Sequence, residues 1–216
     1  MNLKKVYQVW KFDNHIATVY SDHALQHIPN YLEVLELSCN IADDFCTKDS
    51  AICDFGSANG NTLLKLYDRN FKNLYGVENS QSMIDHCPSD KFKISKTLPD
   101  IKFDYIIANW SLHFNQNKEE ILKNIFDKLN PNSVFLLSDK VSLDAYSISK
   151  YHSWKQQQGV SDLDIKAKEE SLVGSMFIND VCWYLDTLKQ VGFKNIEIVN
   201  SHWCFNTFFC RKTIDT

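Results

Sequence analysis

The sequence predicts an α/β protein built on a doubly wound, mainly parallel sheet, and three observations carry that expectation. Strand-like and helix-like segments alternate through residues 50–140, the order that builds right-handed βαβ units. The apolar run "SAICDF" stops at an acid, Asp54, and a small-residue turn to Gly60 then opens the helical pattern "NTLLKLYDR". A second strand pattern, "NLYGVEN", ends at a second acid, Glu78.

Each element has its own signal. Residues 14–46 carry apolar residues at three- and four-residue spacings, interrupted at Pro29, which predicts two or three helices before the first strand. "SQSMIDHC" opens on a Ser N-cap and is stopped by Pro88. "KFKISKTLP" carries a short third strand, and "FDYIIAN" is an apolar strand of the buried type. "KEEILKNIFDKLN" puts Ile121, Leu122, Ile125, Phe126 and Leu129 on one helical stripe, and "PNSVFLLSD" is a turn followed by the fifth strand. Residues 141–180 are polar and irregular, as expected of a helical insertion or lid before the final helix, "DVCWYLDTLKQVGF". "NIEIVNSHW" and "FNTFFCRK" alternate apolar and polar residues, which predicts an antiparallel pair at the sheet edge. A single domain over 1–216, with N-terminal helices over 1–48 and the insertion at 141–180, is the simplest organisation.

Composition narrows the function classes. The chain has 216 residues, a formal net charge of -4 and 44% hydrophobic residues, the profile of a globular protein with a sizeable core. That charge argues against a broad basic face for nucleic acid, though not against a local patch. No apolar run is long enough for a membrane span, and "MNLKKVYQVWKFDNH" lacks the apolar core of a signal peptide. Seven cysteines with no CxxC pair fit reduced, mostly buried thiols in a cytoplasmic protein better than a zinc site. The one HxxxH pair, His23 and His27, gives no metal site with nearby acids.

The turn after the first strand occupies the place where doubly wound sheets bind ligands, beyond the carboxyl ends of the strands. Small residues at Gly56, Ser57, Ala58 and Gly60 let backbone come close to a ligand. "DFGSANG" is neither the GxGxxG dinucleotide fingerprint nor a P-loop, because it has two glycines and no following Gly-Lys-Ser/Thr. Glu78, at the end of the second strand, can accept hydrogen bonds from both hydroxyls of a ribose. Together these features point to a nucleoside cofactor that is not a dinucleotide.

The pattern resembles class I S-adenosylmethionine-dependent methyltransferases. Their acid-x-Gly-x-x-x-Gly motif matches Asp54 to Gly60, their second-strand acid matches Glu78, and their fourth-strand motif matches "FDYIIANWSLHF". The resemblance implies a Rossmann-like seven-stranded sheet with an antiparallel last strand, and S-adenosylmethionine as cofactor. A narrower resemblance spans almost the whole chain. "WKFDNHIATVYSDHALQHIPNY", "ENSQSMIDHC", "NWSLHF", "LSDKVSLD", "GVSDLDI" and "LKQVGFKNIEIVNSHWCFNTF" are similar to the carboxy-S-adenosylmethionine synthase family. That family makes carboxy-S-adenosylmethionine from S-adenosylmethionine and prephenate, for modifying a tRNA wobble uridine. By this resemblance Tyr31 helps bind the cofactor's amino-acid end, Gly56 belongs to the cofactor loop, and Glu78 holds the ribose. Asn79 lies beside the adenine, and Asn109 ends strand four. A homodimer is implied in the same way.

One departure bears on the reaction. The family binds the extra carboxylate of its product with an arginine, and the aligned position here is Glu169. A carboxylate there turns a bidentate attraction into repulsion, and the adjacent Lys168 is a poorer fork that points away on a helix. The sequence therefore favours methyl transfer to a small-molecule acceptor. Carboxy-S-adenosylmethionine synthesis with an altered carboxylate site stands second, and a cofactor-binding protein without turnover third. Transfer from a sulfonium needs alignment and sometimes a base. His113, after the strand-four motif, and His152, in the insertion, are the candidate bases. Trp110, Tyr151 and Trp154 are candidate walls for an aromatic or cationic substrate.

Overall fold

The computed structural model describes residues 11–88 and 90–213. Most of the amino-terminal stretch "MNLKKVYQVWKFDNH" lies outside the described residues. Among the described residues two helices precede the sheet, α1 (Asn14–His27) and α2 (Tyr31–Phe45). They are separated where Pro29 and the left-handed Asn30 (φ 56°) break the pattern.

The alternation expected from sequence follows. In chain order come β1 (Ala51–Phe55), α3 (Asn61–Asp68), β2 (Asn73–Val77), a five-residue α4 (Gln81–Asp85), β3 (Lys93–Ser95) and β4 (Phe103–Asn109). A 3-10 turn, Leu112–Phe114, leads to α5 (Lys118–Lys128) and β5 (Leu129–Lys140). The polar segment forms two helices, α6 (Ala145–Gln157) and α7 (Asp162–Leu172), before α8 (Val181–Val191), β6 (Lys194–His202) and β7 (Phe205–Lys212).

The seven strands form one sheet in the order β3-β2-β1-β4-β5-β7-β6. Pairs along β3-β2-β1-β4-β5 are parallel, and β7 runs antiparallel to both β5 and β6. The central strands are buried on both faces, so they read as continuous apolar runs. Period-two geometry sends Cys53, Ile106, Phe135 and Leu137 to the face covered by α5 and α8. Ile52, Tyr105, Ile107 and Leu136 go to the opposite face, under α2 and α3. Helix α8 ends at Gly192 (φ +116°), where an added Cβ would lie 2.7 Å from Phe126 Cζ. Strand order reverses between β1 and β4, and this reversal positions the site.

Candidate active site

The loops after β1 and β4 meet at the reversal. The N–H groups of Gly56 and Ser57 both donate to Val77 O, at 2.8 and 3.0 Å, folding the turn over the end of β2. Gly56 (φ +80°) has a second duty: an added Cβ would lie 2.2 Å from Ser111 Cβ, so only glycine lets the two loops touch. Ser111 Oγ fastens that contact by donating to Phe55 O at 2.8 Å. Gly60 (φ +86°) opens α3 and packs against the Phe92 ring, 2.7 Å from an added Cβ. The turn is therefore a tight corner, and its side chains make it a cradle as well.

Glu78 closes the cradle from β2. Its two carboxylate oxygens accept the N–H groups of Ala58 (2.9 Å) and Ser80 (2.7 Å), which fixes the carboxylate with lone pairs to spare. Beside it, Asn79 and Asn109 border an open cleft of about 460 Å³. Deeper in, four buried polar atoms have no protein partner: Asp54 Oδ1, Ser57 Oγ, Asn59 Oδ1 and Asn109 Oδ1. Buried polar atoms are normally bonded, so four orphans around one small space call for a polar ligand. Burial, with the Glu78 charge assisting and a hydrogen bond from Thr62 opposing, pushes the Asp54 carboxyl up to about 7. The Tyr31 hydroxyl accepts from Asn61 Nδ2 at 2.8 Å, and its ring lies 4.9 Å from that of Trp110. Three of the four orphan atoms are acceptors, so the ligand that suits them carries hydrogen-bond donors.

Trp110, with Phe12, Tyr20 and Phe114, borders both this cleft and a second cavity, of about 90 Å³, lined from α1, α6 and α7. Trp110 holds a left-handed backbone (φ 56°), and its N–H donates to Ser138 O at 2.7 Å. Strain of this kind in a bulky residue marks a position that the surroundings over-determine. The inner chamber is apolar in body, with Tyr151 and Phe205 in its wall, but three lysines enter it: Lys140, Lys155 and Lys168. Burial and then the charges of Lys140 and Lys155 pull the Lys168 amine down to about 6. Lys155 is drawn down to about 8, mainly by burial, with Glu169 opposing. On α1, His23 and His27 stack at 4.0 Å and border the same chamber.

The two sequence-named histidines are placed differently. His113 borders the chamber and is 4% exposed, and its Nδ1 bonds to Asp139 Oδ1. His152 stands on α6 outside the chamber lining, with Nε2 2.5 Å from Glu169 Oε1. Glu169 does border the chamber, and so does Lys168; adjacency on a helix did not turn the lysine away. Trp154 backs the wall indirectly, its ring parallel to that of Tyr151 at 6.1 Å.

Comparison with known proteins decides what this arrangement belongs to. Residues 39–197 match the methyltransferase-domain family. A carboxy-S-adenosyl-L-methionine synthase of Campylobacter jejuni subsp. doylei is 30% identical over 222 residues, covering 94% of each chain. One from Nautilia profundicola is 28% identical over 227 residues, covering 97% of each. The chain belongs to the class I S-adenosylmethionine-dependent methyltransferase superfamily, in the carboxy-S-adenosylmethionine synthase family.

As a member of that superfamily the protein is a transferase whose cofactor is S-adenosylmethionine. Two distant solved structures share the fold alone. A possible histamine N-methyltransferase from Thermotoga maritima aligns with a TM-score of 0.64 at 15% identity, over 94% of this chain and 99% of its own. The [4+2]-cyclase SpnF aligns at 0.64 and 13% identity, over 93% and 94%. One fold thus serves unlike chemistries, and the reaction must be argued from the chamber.

Several residues of this class I site carry no local sequence signal. Tyr20 borders the cleft, the cradle and the chamber together, yet it sits in an ordinary helical pattern. Asp139, Lys140 and Lys155 converge only through the sheet order and the path of α6. Asn59 was legible in principle, as a polar residue inside the small-residue turn. Among the described residues, no cluster of three or more His, Cys, Asp or Glu could hold a metal ion. No helix among them is long and apolar enough to cross a membrane.

Proposed function

We propose that the protein is a carboxy-S-adenosylmethionine synthase whose carboxylate subsite is made of lysines. One observation carries this choice over methyl transfer: Lys140, Lys155 and Lys168 enter the chamber next to Glu169. Glu169 was the reason to favour methyl transfer from sequence. In the structure its charge is engaged by His152 and outnumbered by the lysines. The family membership supports the same choice, and the family resemblance implies prephenate, a dicarboxylate, as co-substrate.

Bound S-adenosylmethionine supplies a sulfonium whose attached methyl carbon is the reacting centre. The chain's own groups have separable tasks. Asp54 and the buried acceptors around it suit the cofactor's ammonium end, Glu78 its ribose and Asn79 its base. Lysines hold carboxylates as point charges, and three of them can serve two carboxylates without the planar fork of arginine. Tyr151 and Trp110 flank a flat or ring-shaped substrate, and α6 with α7 roofs it against water. His113, which borders the same chamber, is the candidate proton acceptor.

The second reading, methyl transfer to a small acceptor, draws on the aromatic walls alone. Cofactor labelled in its methyl group separates the two. With prephenate supplied, the label is expected to stay on the cofactor. Label appearing on a second molecule, with S-adenosylhomocysteine released, would overturn the proposal. Cofactor binding with no product from either assay would leave a binding protein instead.

A further inference from the structure

Asp139 is wholly buried near the end of β5, and both its oxygens are used. Oδ1 bonds to His113 Nδ1 and also accepts the His113 backbone N–H at 3.3 Å. Oδ2 accepts the hydroxyl of Tyr184, on α8, at 2.5 Å. From the other side, the Phe177 N–H donates to His113 O at 2.7 Å. The imidazole is thus held at ring and backbone, with Nδ1 turned to the core while the ring borders the chamber. Trp110 and Phe114, which flank His113 in sequence, border the chamber and the cofactor cleft alike.

We propose that Asp139 and Tyr184 are positioning residues that keep the His113 proton on Nδ1, so that Nε2 offers its lone pair to the chamber. This rests on the transferase reading above and assigns the residues that prepare its base. A carboxylate can only accept, so Nδ1 must donate, and in the neutral ring that leaves Nε2 with the lone pair. With the cofactor bound, Nε2 would take the proton given up as the methyl carbon gains its bond to the carboxyl carbon; the C–H pair becomes that new bond, and the rest of the co-substrate keeps the pair of the C–C bond it loses. The imidazolium so formed lies against the Asp139 charge, which balances it. Burial, and then the Asp139 charge, push the Tyr184 phenol far above its ordinary value, so it remains a donor. Its role follows from that: it occupies Oδ2 and fixes which oxygen faces the histidine.

The arrangement makes specific demands on substitutions at Asp139. Oδ1 serves two His113 donors, the backbone N–H and the ring Nδ1, so in Asp139→Asn the amide oxygen stays on that side and the NH2 turns to the Tyr184 oxygen, which can accept. That variant keeps the tautomer and loses only the charge that balances the imidazolium. Asp139→Leu removes the acceptor as well and releases the proton to settle on Nε2.

The test is nitrogen-15 NMR of the histidine rings, in the wild-type protein, in Asp139→Asn and in Asp139→Leu, with cofactor affinity and turnover measured in parallel. The expected result is the Nδ1–H form of His113 in the wild type and in Asp139→Asn, and the Nε2–H form in Asp139→Leu. Turnover should fall roughly 100-fold or more in Asp139→Leu and by less in Asp139→Asn. Cofactor affinity should stay within about twofold in both, because none of these groups borders the cofactor cradle. An unchanged tautomer in Asp139→Leu, or turnover that falls only with the folded fraction, would overturn the proposal. Because the tautomer is read without turnover, a wild type that makes no product sinks the transferase reading separately.

Discussion

At the residue scale, the site is two charge problems of opposite sign. Asp54 is buried with its carboxyl raised to about 7, and it suits an ammonium. An ammonium favours the ionised form, so binding below pH 7 expels a proton. Cofactor affinity should therefore climb as pH rises from about 5 to about 7 and then level off. Calorimetry in buffers of different ionisation enthalpy checks the proton count. Asp54→Asn should weaken cofactor binding by roughly 10- to 100-fold and flatten that profile. Lys168 is the mirror image. Its amine sits at about 6 in the free protein, and a bound carboxylate favours the charged form. Substrate binding above pH 6 should take up a proton and weaken as pH rises. Lys168→Met should raise KM for the carboxylate substrate by roughly tenfold or more while leaving cofactor affinity unchanged. The acids of the cradle were legible in the sequence, since a strand ending in Asp54 and another in Glu78 is a one-dimensional pattern. The lysines were not, because they sit on β5, α6 and α7, far apart along the chain. Glu169 was legible, but its partner His152 and the three lysines around the chamber are visible only in space.

At the element scale, the β1 turn shows what a sequence motif does and does not say. The acid and two glycines were read as room for a ligand. The structure gives both glycines a packing reason, Gly56 against Ser111 and Gly60 against Phe92, and leaves ligand contact to the side chains between them. Gly56→Ala forces a Cβ onto Ser111 and a side chain into a left-handed conformation. It should cost about 1–3 kcal/mol of stability and most of the cofactor affinity, seen in thermal melts and calorimetry. Ser111→Gly in the same chain removes the struck atom and should return part of that stability, leaving the backbone strain. The helices of the insertion had only weak apolar periodicity, because their exposed faces are polar and their inner faces meet a chamber. The sequence could mark the segment as unlike its neighbours, and only the fold shows α6 and α7 bringing Lys155 and Lys168 to the chamber.

At the scale of the whole molecule, alternation decided the architecture. Strands buried on both faces leave long apolar runs, and helices between them force parallel pairing, so most of the sheet was readable from hydrophobic pattern. The order β5-β7-β6 was not readable that way: the family resemblance implied only an antiparallel last strand, and alternating edge strands fit several pairings. Cofactor at a hundredfold excess over its Kd should add about 2.7 kcal/mol to the unfolding free energy, measured as a rise in Tm. The central claim is that the cofactor itself is the carboxylated product. The direct measurement is mass spectrometry of the cofactor after incubation of the protein with S-adenosylmethionine and prephenate. A gain equal to one carbon dioxide on the intact cofactor is the predicted result. An unmodified cofactor together with S-adenosylhomocysteine and a methylated second product would contradict it.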